Sequence, residues 1–220
     1  MQEILMNQKN EDVPYGYYSH QNDRINLSAE IQHQPHRTKI YEKIGTLCDD
    51  PAGLTCSHDT LTRYGLARMI VPFPSFEAAA GSTIHGEIDG FWVPAAYPDV
   101  RKFFVDQELT LVREEIPVMT IPNLVLVGKT LTPPSSIHKI YYHPATSNFL
   151  DEIRIPYQQY CLMEQVTSNS MAAKAVIQDE EDSVAITNNL CAKHYGLHVY
   201  QTFREDIAFP FFLFIKFQCN

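Results

Sequence analysis

Two hydroxyl-rich segments each precede a predicted helix, and their chemistry suits an anion. Thr55 and Ser57 mark the first segment, and Ser168 and Ser170 mark the second. Hydroxyl side chains cap helix starts, where unpaired backbone amides carry partial positive charge. Each helix start can therefore bind a carboxylate or a phosphate. Because most capped helices bind no ligand, ordinary capping is the alternative interpretation of both segments.

Three further side chains lie just after predicted strands, where open α/β sheets place ligand-binding residues. Tyr97 and Arg101 follow one strand, and His143 follows another. Arginine can clamp a carboxylate with two hydrogen bonds, tyrosine can donate a hydrogen bond, and histidine can transfer a proton. A packed tyrosine, a solvated arginine and a structural histidine are the alternatives.

The composition limits the classes of function. The chain has 220 residues, 45% of them apolar, which is enough for one domain or two small lobes around a shared cleft. The formal net charge of −9 argues against non-specific nucleic-acid binding. No segment has the roughly 18–20 apolar residues of a membrane span, and no export signal is recognisable, so we predict a cytoplasmic protein without a membrane partner.

The sequence also predicts that no metal or organic cofactor is bound. The five cysteines are scattered, without a Cys-x-x-Cys pair, and are expected to be reduced thiols. No phosphate-binding glycine loop, dinucleotide fingerprint or metal-ligand set is present.

The elements that must position these residues alternate along the chain. Residues 1–38 are polar and lack periodic apolar positions, which predicts a flexible N-terminal extension. From Lys39 onward, short apolar runs alternate with amphipathic stretches, as in an α/β fold. Strands are predicted at residues 40–47, 88–93, 109–113, 118–127, 137–142, 159–165, 183–187 and 209–215. Helices are predicted at residues 58–69, with Ser57 as N-cap, and at 76–84, 146–153, 171–177 and 189–195.

Taken in chain order, these residues resemble the catalytic domain of prephenate dehydratases. That family has a Gly-rich loop with Thr and Ser, a Val-Pro turn, a Ser-His-Pro stretch, a Ser-Thr-x-x-Ala-Ala helix start, and an Ala-Ile segment that leads to Tyr-Gly-Leu. The corresponding segments here are residues 53–57, 93–94, 142–144, 168–173 and 185–197. Each motif is weak alone, but five in the same order and spacing are specific, and the resemblance spans about residues 40–217.

Two departures resemble the prephenate decarboxylases of bacilysin and aeruginosin biosynthesis instead. Dehydratases have Glu-Asn-Ser after the Val-Pro turn, whereas this chain has Ala95, Ala96 and Tyr97. Dehydratases begin the last strand with Thr-Arg-Phe, whereas this chain has the apolar run 209–212. The resemblance implies a carbon-carbon lyase that removes carbon dioxide from prephenate without aromatising the ring, in an aeruginosin-like secondary-metabolite pathway.

The resemblance also implies a fold of two α/β lobes, similar to type II periplasmic binding proteins, with the ligand between them. Lobe one is expected at residues 39–108 and 201–220, and lobe two at residues 109–200. Tyr97 and the first helix start then lie in lobe one, and His143, Ser168 and Thr187 lie in lobe two. A homodimer is left open.

For a decarboxylase of this kind, the resemblance implies the role of each candidate. Tyr97 or His143 is expected to donate a proton to the ring, and His58 is a third candidate. The ring diene takes up the electron pair, so no cofactor is required. Substrate binding is expected from Thr55, Ser57, Arg101, Ser168, Ser170 and Thr187, with Arg101, Ser168 and Ser170 on one carboxylate. A prephenate dehydratase and a non-catalytic small-molecule-binding protein are the alternative functions.

Overall fold

The computed structural model describes residues 39–49, 53–156 and 161–218. The predicted N-terminal extension, residues 1–38, lies outside the described residues. The described chain forms two β-sheets with flanking helices, which confirms the predicted α/β class. Across these residues, no helix combines the length and apolar character needed to cross a bilayer.

The elements follow one another in an alternating order. The strands are β1 (Tyr41–Leu47), β2 (Ala67–Phe73), β3 (Gly90–Pro94), β4 (Leu109–Leu111), β5 (Val118–Thr120), β6 (Leu124–Gly128), β7 (Lys139–Tyr142), β8 (Leu162–Gln165), β9 (Ser183–Asn188), β10 (His198–Arg204) and β11 (Ala208–Lys216). The helices are α1 (Cys56–Tyr64), α2 (Phe76–Ile84), α3 (Arg101–Val105), α4 (Asn169–Gln178) and α5 (Asn189–Tyr195), and a 3-10 helix covers Pro144–Glu152.

The first sheet defines lobe one. Its strand order is β2-β1-β3-β11-β4, and β5 also pairs with β11. Strand β1 is parallel to β2 and β3, whereas β11 is antiparallel to β3, β4 and β5. Because parallel strands end at the same edge of a sheet, the residues after β1 and β3 reach a common region.

The second sheet defines lobe two, with the strand order β10-β6-β9-β7-β8. Strands β7, β8 and β9 are mutually parallel where they pair, and β6 is antiparallel to β9 and β10. Helix α4 packs on β9 and β7, and α5 packs on α4. Because β7 and β8 are parallel, His143 after β7 and the start of α4 after β8 lie at the same edge of the sheet.

Most predicted elements are confirmed, β10 was not predicted, and two further differences have local causes. The first helix was expected to reach residue 69, but it ends at Gly65, which adopts the left-handed conformation with φ of 67°. The chain then enters β2 at Ala67, a strand that the sequence analysis missed. The predicted strand at 118–127 is divided into β5 and β6 by Pro122, which cannot donate a ladder hydrogen bond.

The division of that strand is also where the chain passes from one sheet to the other. Strands β4 and β5 pair with the sheet of lobe one, although residues 109–200 were expected in lobe two. Strand β10 pairs with β6 in lobe two, although residues from 201 onward were expected in lobe one. The chain therefore changes sheet between β5 and β6 and between β10 and β11, and not at the expected lobe boundaries after residues 108 and 200.

Close contact between β3 and β11 makes Gly90 a sensitive position. A Cβ atom at Gly90 would lie 2.5 Å from the backbone oxygen of Phe214. The two strands would have to separate, so we expect Gly90→Ala to lower the free energy of unfolding by about 1–3 kcal/mol, measured by urea denaturation. Gly81→Ala is the control, because a Cβ there meets no described atom within 4 Å and alanine favours the α2 helix. Equal stability of the two variants would contradict the expectation.

Candidate active site

A cleft lies at the ends of β1, β3 and β7 and at the starts of α1 and α4. Its empty volume is about 680 Å³, part of which is open to solvent. The apolar lining residues are Leu47, Phe76, Pro94, Ala96, Ile121, Leu124, Ala145 and Phe209. The lining residues with polar or ionisable groups are Thr55, Cys56, Ser57, Tyr97, His143, Thr146, Ser168 and Asn169. Among these described lining residues there is neither lysine nor arginine.

The start of α1 lies at this cleft, as predicted, but its cap is Thr55 and not Ser57. The Oγ1 atom of Thr55 accepts a hydrogen bond from the backbone amide of His58 at 3.2 Å. The same hydroxyl donates to the carbonyl oxygen of Leu47 at 2.7 Å, which ties the helix start to the end of β1. Thr55 and Ser57 both line the cleft and are nearly buried. The positive end of α1 is thus held next to the ligand space.

The start of α4 lies on the lobe-two side of the same cleft, and it holds a carboxylate of the chain itself. Ser168 is the N-cap, since its Oγ accepts from the amide of Met171 at 3.0 Å. The hydroxyl of Ser170 donates to Oδ2 of Asp49 at 2.6 Å, and the hydroxyl of Ser168 donates to the same oxygen. Ser168 and Ser170 were expected to bind a substrate carboxylate, whereas the structure shows them bound to Asp49.

Thr187 does not line the cleft, but it forms a hydrogen bond to the start of α4, which does. Its side chain is fully buried, and its Oγ1 donates to the carbonyl oxygen of Asn169 at 2.6 Å. The neighbouring Asn188 donates from Nδ2 to the carbonyl oxygen of Leu54 at 2.8 Å, directly before α1. These two residues at the end of β9 therefore position both helix starts.

His143 lines the cleft and has a defined tautomer. It caps the 3-10 helix through Nδ1, which accepts from the amide of Ala145 at 3.2 Å. Because Nδ1 accepts, the neutral ring carries its proton on Nε2. Burial lowers the pKa of His143 below its ordinary value, and the negative charge of Asp49 offsets part of that shift. The ring is therefore mostly neutral at pH 7 and becomes an acid only at lower pH.

Tyr97 lines the cleft with its hydroxyl fixed by a carboxylate. The hydroxyl donates to Oε1 of Glu77 at 2.5 Å, and the ammonium group of Lys102 binds the same oxygen. The ring packs against Phe76 with centroids 4.8 Å apart. Burial and the hydrogen bond to Glu77 raise the pKa of Tyr97 well above its ordinary value. Tyr97 therefore stays protonated, and it is oriented by Glu77.

Besides Thr187 and Ser170, which are not lining residues either, two sequence candidates lie outside the cleft lining. Arg101 is exposed at the start of α3, and it is not among the lining residues. His58 lies in the first turn of α1 and does not line the cleft either. Without Arg101, the positive potential available to an anion comes from the starts of α1 and α4.

The closing strand contributes one side chain to the cleft. Phe209 lines it and stacks on Phe211, with ring centroids 5.3 Å apart. Phe211 itself is fully buried against Trp92 in the core of lobe one. Phe212 packs its ring against Phe104 and belongs to a different apolar cluster, the one that contains Phe91. Of the apolar run 209–212, Phe209 is thus the residue that lines the cleft, whereas Phe211 and Phe212 pack elsewhere.

Three functional positions were missed by the sequence analysis. Asp49 lies two residues after the end of β1, so the strand-end signal used for Tyr97 could have found it. Glu77 lies in the first turn of α2, where an acidic residue has an ordinary capping explanation. The buried Oδ1 atom of Asn169 has no hydrogen-bond partner within the described part of the chain, and its residue lines the cleft. Asn169 was read only as part of a capping segment.

The described residues offer neither a reactive thiol among the most buried cysteines nor a metal-ligand group. Burial raises the pKa of the Cys56 thiol to about 12 and that of Cys191 to about 11, so both remain protonated and unreactive. Cys48 and Cys161 are also free thiols. In the ranges that the structure describes, no group of three or more His, Cys, Asp or Glu side chains could hold a metal ion.

Solved structures with the same architecture belong to the class of two-lobed α/β ligand-binding folds. One is a methionine binding protein, with a TM-score of 0.51, 11% identity, and coverage of 80% of this chain and 82% of that chain. The prephenate dehydratase from Arthrobacter aurescens in complex with L-Phe has a TM-score of 0.60 and 19% identity, covering 80% of this chain and 61% of that one. The prephenate dehydratase from Staphylococcus aureus has a TM-score of 0.54 and 16% identity, with 81% and 67% covered.

These likenesses establish the fold. The chain has the two-sheet α/β architecture of prephenate dehydratases and type II periplasmic binding proteins, as predicted. It spans about three fifths of the length of the first dehydratase. No family model matches the sequence. No curated protein matches it either.

Proposed function

We propose that this protein is a prephenate decarboxylase, a carbon-carbon lyase that retains the ring hydroxyl of its substrate. The proposal combines the sequence resemblance with the cleft at the ends of β1, β3 and β7. We further propose that it acts in the cytoplasm in an aeruginosin-like secondary-metabolite pathway. The free thiols of Cys48, Cys56, Cys161 and Cys191 are consistent with a reducing compartment.

The shape and polarity of the cleft support a small anionic ligand with an apolar body. Prephenate has a carboxylate on a quaternary ring carbon and a second one on its pyruvyl arm. The start of α4, with Ser168 and Ser170, suits the pyruvyl carboxylate. The ring then lies toward Leu47, Phe76 and the start of α1. Apolar surroundings favour loss of the ring carboxylate, because carbon dioxide is neutral and needs less solvation than the carboxylate.

The observation that carries the proposal is the presence of Phe209 in the cleft wall. Loss of the ring hydroxyl, which gives the aromatic product, is assisted by an acid that protonates the departing oxygen. In dehydratases the corresponding strand supplies Thr and Arg, according to the resemblance. Here this strand contributes an apolar ring to the described lining. The side of the cleft that β11 forms therefore offers no acid to the departing hydroxyl, which favours its retention.

The chemistry requires one bond to break and one proton to be delivered. The bond between the ring carbon and its carboxylate breaks, carbon dioxide leaves, and the electron pair enters the ring diene. A proton must then add to a ring carbon. We assign this donation to the imidazolium form of His143, in which Nδ1 is protonated and the hydrogen bond from the amide of Ala145 is released. Tyr97 is the poorer donor, since its pKa is raised beside Glu77 and its phenolate would lie next to a carboxylate. Tyr97 then serves as a positioned wall and hydrogen-bonding partner.

Product analysis tests the proposal directly. Incubation with prephenate is expected to release carbon dioxide and give a product that keeps its ring hydroxyl and lacks aromatic ultraviolet absorption. Mass spectrometry and absorbance identify that product against an enzyme-free sample, which accounts for spontaneous aromatisation. Phenylpyruvate as the main enzymatic product would establish a dehydratase instead. Binding of prephenate without turnover would favour a non-catalytic binding protein.

A further inference from the structure

Asp49 links the two lobes beside the cleft, where its partner Ser168 is a lining residue and Asp49 itself is not. It follows β1 in lobe one, whereas Ser168 and Ser170 begin α4 in lobe two. Both serine hydroxyls donate to Oδ2 of Asp49, with 2.6 Å between that oxygen and Oγ of Ser170. Each serine is 1% exposed, so these hydroxyls are removed from solvent. A polar group buried in this way needs an acceptor, and Asp49 supplies it.

The charge balance at this position depends on Asp49. The first turn of α4 contains no acidic residue of its own to complement the positive helix end. In the described part of the chain, no lysine or arginine forms an ion pair with Asp49. The carboxylate is therefore held by two hydroxyls and the helix end. That is the set of donors that an external carboxylate would use.

We propose that Asp49 is an exchangeable internal carboxylate, which occupies the start of α4 in the free protein and is displaced when the carboxylate of a ligand binds there. Two carboxylates at one pair of hydroxyls repel each other and share too few donors, so only one of them can be bound. Asp49 thereby competes with the ligand and sets its affinity. The identity of that ligand as prephenate rests on the proposed function, but the exchange itself does not.

Binding measurements on Asp49 variants test the exchange. Removal of an internal competitor raises the fraction of binding-competent protein, so we expect Asp49→Ala to bind prephenate about tenfold more tightly in calorimetry. Asp49→Asn, which keeps one acceptor oxygen and loses the charge, is expected to give an intermediate affinity. Glu87→Ala is the matched control. Its carboxylate also accepts a serine hydroxyl, from Ser82 at 2.6 Å, but that serine belongs to α2 and not to the start of α4.

Acetate provides a readout that does not depend on prephenate. The empty position in Asp49→Ala should take up free acetate, so acetate should raise the melting temperature of this variant more than that of the parent or of Glu87→Ala. Chloride at equal ionic strength controls for screening. Unchanged or weaker prephenate binding by Asp49→Ala would overturn the exchange. If neither parent nor variants bind prephenate, the proposed function fails, and the acetate comparison alone decides: equal shifts in variant and parent would refute the exchange.

Discussion

His143→Asn is expected to lower kcat for prephenate by about 10²- to 10⁴-fold, the usual contribution of a positioned general acid. Asparagine is a favourable N-cap, and its Oδ1 can accept the amide of Ala145 where Nδ1 of His143 does so now. The 3-10 helix is therefore retained while the titrating group is lost. Because the donation occurs in the chemical step, KM should change much less than kcat.

The pH dependence gives a second signature of the same residue. The active form is the imidazolium, and burial places its pKa below the ordinary value of roughly 6.5. The parent rate should therefore be highest at low pH and fall as pH rises through that lowered pKa. His143→Asn should lose this dependence once the enzyme-free reaction in acid is subtracted.

His58→Asn is the matched control for His143. Burial also lowers the pKa of His58, but this histidine lies in α1 and does not line the cleft. Its replacement should leave kcat and the pH profile unchanged. A parent-like rate in His143→Asn, or a large loss in Tyr97→Phe with His143 intact, would move the donor role to Tyr97.

The helix starts show how far local sequence rules reach. Polar capping residues before an amphipathic stretch predicted α1, α4 and α5, and in the structure Ser168 caps α4 and Asn188 caps α5. Capping depends on a few neighbouring residues, so it is readable from sequence. The contact of Asp49 with the start of α4 cannot be read from local sequence, because Asp49 lies 119 residues away in the chain from Ser168. Only the assembly of both lobes brings them together.

Strand-end residues show the same limit. Tyr97 and His143 both reach the cleft from strand ends, as predicted, while Arg101, only four residues after Tyr97, does not. The short helix α3 begins at Arg101 and carries it to the surface. Turn geometry after a strand decides which of several nearby residues faces a ligand, and that geometry has no strong sequence signal. Glu77 reaches Tyr97 through tertiary packing alone.

The closing strand provides the clearest division between core and cleft. Phe211 and Phe214 are buried on opposite faces of the sheet of lobe one, in the clusters that contain Trp92 and Phe91 respectively. Phe209 lies where β11 pairs with β5, opposite Met119, near the crossing between the lobes. Replacement of Phe211 would therefore damage the core, whereas Phe209 can be changed at the edge of the ligand space.

Phe209→Thr is expected to divert product toward phenylpyruvate. Threonine places a hydroxyl where the wall is now apolar, and this hydroxyl can assist the departure of the ring hydroxyl. The ratio of aromatic to dihydro product should therefore rise, by a factor toward the lower end of the roughly 10²- to 10⁴-fold contribution of general acids. The ratio of aromatic to dihydro product measures the change, with circular dichroism to verify the fold. Phe209→Leu keeps the wall apolar and should preserve the parent ratio, and so should Phe212→Thr, which adds the same hydroxyl outside the cleft. A folded and active Phe209→Thr enzyme with the parent product ratio would show that the apolar wall does not protect the hydroxyl.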